Sequence, residues 1–252
     1  MHLRDSKFII NCAARTGSTF LVHLLRSNPK ILCHGEVIAL DRVGALVGTY
    51  GRKRREIEGF EQALHDKMLA RPTEFIYDNI FDSQGHRVVG FKYKTDESLN
   101  SAYKPYTDII AGDEEIKVIH LRRRNLLDQY ISHQVVLHQT GVTMITSDDE
   151  KPEIQPFEAD ITHAINYLRD VVDREQRSID LYTKHRCFFA DYENLLPESS
   201  NDRLDLQRFL DVGVQALTTS TKKIITDNRG LLTNLDQVLE ALIAAGFEQR
   251  IS

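Results

Sequence analysis

Arg15-Thr16-Gly17-Ser18-Thr19 is the group of residues best equipped for chemistry. It follows an apolar run, Phe8, Ile9 and Ile10, that stops at Cys12, Ala13 and Ala14, and it precedes Phe20, Leu21, Leu24 and Leu25 at helical spacing. That order predicts a buried strand, a tight turn and the start of an amphipathic helix. The first N–H groups of a helix have no partner inside it, and the aligned peptide dipoles add partial positive charge. An anion is the natural occupant, and phosphate the usual one. Gly17 lets the backbone come close, Ser18 and Thr19 add hydroxyls, and Arg15 adds a forked cation suited to phosphate or sulfate. The same pattern without a ligand would be a plain strand-to-helix turn.

A triphosphate-binding loop needs a glycine four residues before Gly-Lys-Ser/Thr. Here Ser18 stands where that lysine should be, and Cys12 holds the early position. The cation for the outer phosphates is missing and the metal-holding hydroxyl is out of place. A nucleotide or small-molecule kinase would also need an aspartate for the metal at a strand end, and none is evident. The loop is therefore read as a phosphate site without metal-assisted triphosphate chemistry, and no metal is expected.

Lys117 to Ser132, KVIHLRRRNLLDQYIS, is the second informative stretch. A buried strand ends in three consecutive arginines and a helix begins. Arg124 and Ser132 are eight residues apart, about 80° around a helix at 3.6 residues per turn. Both can reach one anion lying beside that helix. A solvated helix start paired with Asp128 or Glu114 is the alternative.

Strand-like and helix-like runs alternate along the rest of the chain. Short strands are expected at 31–33, 87–93, 116–121 and 186–190. Helices are expected over 56–70, 97–111 (broken or kinked by Pro105), 124–139, 157–184, 201–211 and 234–245. Residues 37–50 read as loop and short helix, and the basic run 51–55 as a solvated face. Residues 141–158 are polar, carry Pro152 and Pro156, and read as a mobile loop. The alternation predicts one three-layer α/β domain over 1–252, with a mainly parallel central sheet flanked by helices. Ligands on such sheets sit at the carboxyl ends of the strands, where the Arg15–Thr19 loop would lie.

With 252 residues and a net charge of −5, the chain is long enough for a sizeable core and gives no basic signal for nucleic acid. Three widely spaced cysteines argue against a disulfide framework or a zinc site. With no apolar segment of membrane-spanning length, a cytoplasmic setting is expected.

Together, in order, the two anion motifs resemble those of the PAPS-dependent sulfotransferases (PAPS is 3′-phosphoadenosine 5′-phosphosulfate). Phe188-Phe189-Ala190-Asp191-Tyr192-Glu193-Asn194-Leu195 is similar to that family's strand followed by a Tyr-Glu-Asp-Leu-like turn, and Phe209 to Val212 and Leu231 to Val238 resemble its later segments. The likeness is closer to bacterial and glycan-type members than to the cytosolic small-molecule branch, whose Arg-Lys-Gly signature is missing. It implies a P-loop-like fold and in-line transfer of a sulfuryl group from PAPS to an acceptor hydroxyl, leaving 3′,5′-ADP. By carry-over, Arg15 contacts the 5′-phosphate and the bridging oxygen, Thr16, Gly17, Ser18 and Thr19 cradle that phosphate, and Phe20 stands where many members place a Trp. Arg124 and Ser132 hold the 3′-phosphate, with Arg122 or Arg123 assisting, and Lys222 and Lys223 sit where members close over the nucleotide.

The resemblance also supplies a general base. Glu36, after the second strand, matches the glutamate of the glycan-type branch, and Lys92 matches a strand lysine that polarises the transferred group. Asp96 is the second candidate for the base and His34 the third. A carbohydrate or glycolipid hydroxyl is the expected acceptor, ahead of a small alcohol or natural product. A non-catalytic nucleotide-binding module remains the reading from another class, and a homodimer through the long helix is open.

Overall fold

The computed structural model describes residues 6–251. Its main sheet has five strands in the order β2-β5-β1-β6-β7, formed by Ser6–Cys12 (β1), Ile31–Glu36 (β2), Val88–Lys94 (β5), Lys117–Arg122 (β6) and Cys187–Asp191 (β7). Every pairing in that sheet is parallel. Ile38–Ala39 (β3) and Arg42–Val43 (β4) make a small separate antiparallel hairpin.

The central position of β1 follows from its side chains. Phe8, Ile10 and Cys12 face one layer and pack with Leu21, Leu24 and Leu25 of helix Ser18–Arg26. Ile9 faces the opposite layer, with Phe91, Val118 and Tyr182. A strand covered on both faces reads as a continuous apolar run, as this one does. A third cluster joins helices Leu126–Val135, Ile161–Leu181 and Leu235–Ala244 through Leu127, Leu168 and Leu242. The three-layer α/β architecture is the expected one.

Several boundaries differ from expectation. The second strand runs on to Glu36, beyond residue 33, and its register against β5 shifts between Cys33 and Glu36. Residues 97–111 do not form one helix. Helix Thr95–Leu99 stops, and a new one, Lys104–Gly112, begins with Pro105 in its first turn. There the missing N–H of proline costs nothing. Segment 141–158 is tied down near both ends by single bridges, Ile145 to Lys222 and Phe157 to Leu232. Side-chain pattern alone cannot show such backbone bonds.

Candidate active site

The Arg15–Thr19 loop lies at the carboxyl end of β1 and opens into a cleft of about 780 Å³. Gly17 has φ 79°, and a Cβ there would run into the Tyr192 ring. Only glycine takes both that backbone and that contact at little cost. Arg15 is also left-handed, at φ 63°. Two bonds hold the turn, Thr16 Oγ1 to Ala13 O at 2.9 Å and Gln129 Nε2 to Ala14 O at 2.8 Å. No side chain caps helix Ser18–Arg26 at Gly17, so its first N–H groups remain open to an anion.

The two sequence motifs meet directly. Arg15 Nε donates to Ser132 Oγ at 3.1 Å across 117 residues of sequence. Burial, followed by the neighbouring Arg123, lowers the Arg15 pKa from its ordinary value. Two guanidiniums so close together favour an anion between them.

Of the residues singled out in the sequence, Arg15, Gly17, Ser18, Thr19, Phe20, Glu36, Lys92, Ser132, Lys222 and Lys223 line this one cleft. Thr16 does not. It is fully buried and its hydroxyl is spent on the turn. Arg124 does not line the cleft either. Its guanidinium bonds Asn194 and lies 3.8 Å from Asp191, while its backbone N–H donates to Glu193. Arg123 takes the place facing the cleft, 3.3 Å from Asp128 and over the Tyr192 ring at 5.5 Å, with its Nε buried and unpartnered. Three arginines in a row give a sequence no means of choosing among them. The turn out of β6 decides, because Arg122 is drawn to Asp191 at 2.7 Å and Arg124 to the same acidic corner.

Phe20 stands edge-on to Tyr192 with ring centres 5.8 Å apart. Lys222 is engaged by Asp148. Lys94 and His133 also line the cleft, and no sequence motif points to His133. Lys94 can be read from the sequence, because it follows Lys92 by two positions on a strand and so shares its side.

The three candidate bases separate cleanly. His34 is fully buried. Its Nδ1 accepts the Val47 N–H at 3.1 Å, so Nε2 must carry the hydrogen that bonds Ile80 O at 3.1 Å. Burial pushes its pKa down to about 4. Both ring nitrogens are occupied, and His34 is structural. Asp96 pairs with Arg174 and does not line the cleft. Glu36 does line it, with its side chain 42% exposed. Its Oε1 is 2.6 Å from Lys92 Nζ and its Oε2 3.1 Å from Lys94 Nζ. The register shift in β2 sets Glu36 opposite Lys92, and Ala45 N–H holds the Glu36 carbonyl at 2.7 Å. Burial would raise its pKa, but the two lysines outweigh burial and hold it below the ordinary value.

Among the described residues no cluster of three or more His, Cys, Asp or Glu side chains could hold a metal ion, and no helix is long and apolar enough to cross a membrane.

No family model and no curated protein sequence matches the chain. Solved structures do. Over 98% of its length the chain is similar to the sulfotransferase domain of the olefin synthase from Synechococcus PCC 7002, covering 96% of that domain with a TM-score of 0.51 and 16% identity. A sulfotransferase from Alicyclobacillus acidocaldarius is matched over 96% of this chain and 95% of its own, with a TM-score of 0.46 and 20% identity. The chain thus has a sulfotransferase fold, the P-loop-like α/β class that the family resemblance implied.

Proposed function

We propose that the chain is a PAPS-dependent sulfotransferase acting on an acceptor hydroxyl of a carbohydrate or glycolipid. The observation that carries this reading is the Arg15–Ser132 contact, which joins two anion-binding motifs in one cleft that also holds Glu36 and Lys92. A ligand with two separated phosphates fits that pairing. The 5′-phosphosulfate lies on the N–H groups of Gly17, Ser18 and Thr19 beside Arg15, and the 3′-phosphate lies on Ser132 and Arg123. Lys223 and Lys222 approach from segment 221–229, and Lys222 must first leave Asp148.

In the transfer, the acceptor oxygen forms a bond to sulfur as the bond from sulfur to the bridging phosphate oxygen breaks. The hydroxyl proton passes to Glu36, and 3′,5′-ADP leaves. Negative charge grows on the bridging oxygen, where Arg15 is placed to stabilise it, and Lys92 stands beside the sulfuryl oxygens. Glu36 is a weak base while two lysines hold it. It takes the proton late, once the forming bond to sulfur has made the hydroxyl acidic.

Calorimetric titration with 3′,5′-ADP, against ATP with Mg²⁺, tests the reading. Binding of 3′,5′-ADP without metal, and little of ATP, supports it. A preference for ATP with Mg²⁺ puts a kinase first.

A further inference from the structure

Glu97 does not line the cleft and is only 7% exposed, yet it stands one ion pair away from Glu36. Lys94 Nζ lies 3.1 Å from Glu36 Oε2 and 3.3 Å from Glu97 Oε1. The other oxygen of Glu97 accepts the backbone N–H of Lys94 at 2.9 Å. With Lys92 on Glu36 Oε1, four groups alternate in charge: Lys92, Glu36, Lys94, Glu97. The backbone arranges this. β5 sends Lys92 and Lys94 to one side, and helix Thr95–Leu99 starts at once and brings Glu97 back against Lys94.

A carboxylate is expensive to bury. Capping a five-residue helix does not require it, since a glutamine would accept the same N–H. Burial outweighs the opposing Lys94 and pushes the Glu97 carboxyl up to about 6. Glu36 from β2, Tyr93 from β5 and the buried Cys12 thiol from β1 also feel its charge.

We infer that Glu97 is a positioning residue for the base: it fixes the Lys94 ammonium against Oε2 of Glu36, leaving Oε1 to pass between Lys92 and the acceptor hydroxyl. The inference rests on the reading of Glu36 as that base. A lysine is a flexible stem with three donors. Committing one donor to Glu97 orders Lys94 before substrate arrives. The negative charge of Glu97 also shares the field of Lys94, so Glu36 keeps more of its basicity than it would between two unshared cations. When the hydroxyl displaces Lys92 from Oε1, Lys92 is free for the sulfuryl oxygens while Lys94 stays in place.

The test is Glu97→Gln, which keeps an oxygen for the Lys94 N–H and removes the charge. Carboxylate ¹³C NMR titration of the labelled protein is read beside kcat with PAPS. In the variant, the resonance titrating near pH 6 should vanish, and the Glu36 midpoint should fall by about half a pH unit as it loses a neighbouring negative charge. At neutral pH kcat should fall about tenfold or more, with KM for PAPS within about twofold, as expected when only transition-state interactions are lost. Wild-type kcat should fall as pH drops through about 6, and that step should be absent from the variant. An unmoved Glu36 midpoint overturns the inference, even if activity drops. An unchanged kcat with an unchanged pH profile overturns it as well. If wild type transfers no sulfuryl group to any hydroxyl, the functional reading fails while the NMR arm still decides the charge coupling. Should Glu97→Gln not fold, Lys94→Gln, at the cleft surface, carries the same tests: loss of Lys94 should raise the Glu36 midpoint and lower kcat, and no change in either overturns the inference.

Discussion

Arg123 and Arg124 are neighbours in sequence, and the structure separates their surroundings. Arg124 is half-exposed and already bonded at the Asp191–Asn194 corner, whereas Arg123 is nearly covered and faces the cleft. Arg123→Ala should therefore weaken 3′,5′-ADP binding by about 1.5–3 kcal/mol, the range for a hydrogen bond to a charged group. Arg124→Ala should change it by less than about 0.5 kcal/mol, as expected away from a contact. Calorimetry on both variants decides, and the reverse order would return the 3′-phosphate to Arg124. Glu36 calls for the opposite pattern. Glu36→Gln should abolish turnover while 3′,5′-ADP affinity stays within about threefold, because a base acts on the proton and not on the leaving nucleotide. Normal turnover by Glu36→Gln would remove it from the mechanism.

At the scale of elements, the turn between β1 and helix Ser18–Arg26 is where fold and site constrain one another. The helix supplies unpaired N–H groups, the strand places them at the carboxyl end of the sheet, and Gly17 must be left-handed against the Tyr192 ring for the loop to close. Gly17→Ala adds about 1–2 kcal/mol of backbone strain and forces Tyr192 to move. The expected outcome is a folded protein with a lowered Tm and at least about tenfold weaker 3′,5′-ADP binding, since the loop's N–H groups no longer converge. Near-normal binding by Gly17→Ala would show that these N–H groups do not hold the phosphate. Segments 143–150 and 221–229 matter at the same scale. Joined by the Lys222 N–H to Ile145 carbonyl bond and the Lys222–Asp148 pair, they give the cleft Thr143, Met144 and residues 221–229.

Across the whole molecule, the buried ionisable groups set the response to pH. Burial holds His34 and His120 near about 4, so both stay neutral in the folded chain where the unfolded chain would begin to charge them. The folded state then binds fewer protons, and stability present above the ordinary histidine value is lost as pH falls from about 6.5 toward 4. Each histidine contributes up to about 3 kcal/mol of that loss. Glu97 acts in the other direction. Its raised value favours the folded state at low pH, and that contribution fades as pH rises through about 6. The histidines outweigh it, so urea unfolding should show clear acid destabilisation between pH 6.5 and 4.5. His34→Asn should be less stable at pH 7 and should lose markedly less over that interval; an equal loss would show that His34 is not the group being charged.

The sequence by itself determined what rests on local pattern. Apolar runs and helical spacing set the strands, the turn and the layered α/β architecture, because burial acts residue by residue on a regular backbone. Gly17, Ser18 and Thr19 marked the turn at the carboxyl end of β1, and Arg124 with Ser132 marked the segment that brings Arg123 and Ser132 to the same cleft. What lay beyond reach were choices made by contacts distant in sequence. Which of three arginines faces the cleft depends on Asp191, contributed by another strand. His34 looks available beside Glu36 until Ile80 and Val47 claim its ring nitrogens. The partnership of Glu36, Lys92, Lys94 and Glu97 exists only because β2 shifts register against β5 and a short helix turns back at once. Tertiary structure decided these points, because a charged side chain goes to the partner that compensates its desolvation, and that partner is fixed by the packing of the whole chain.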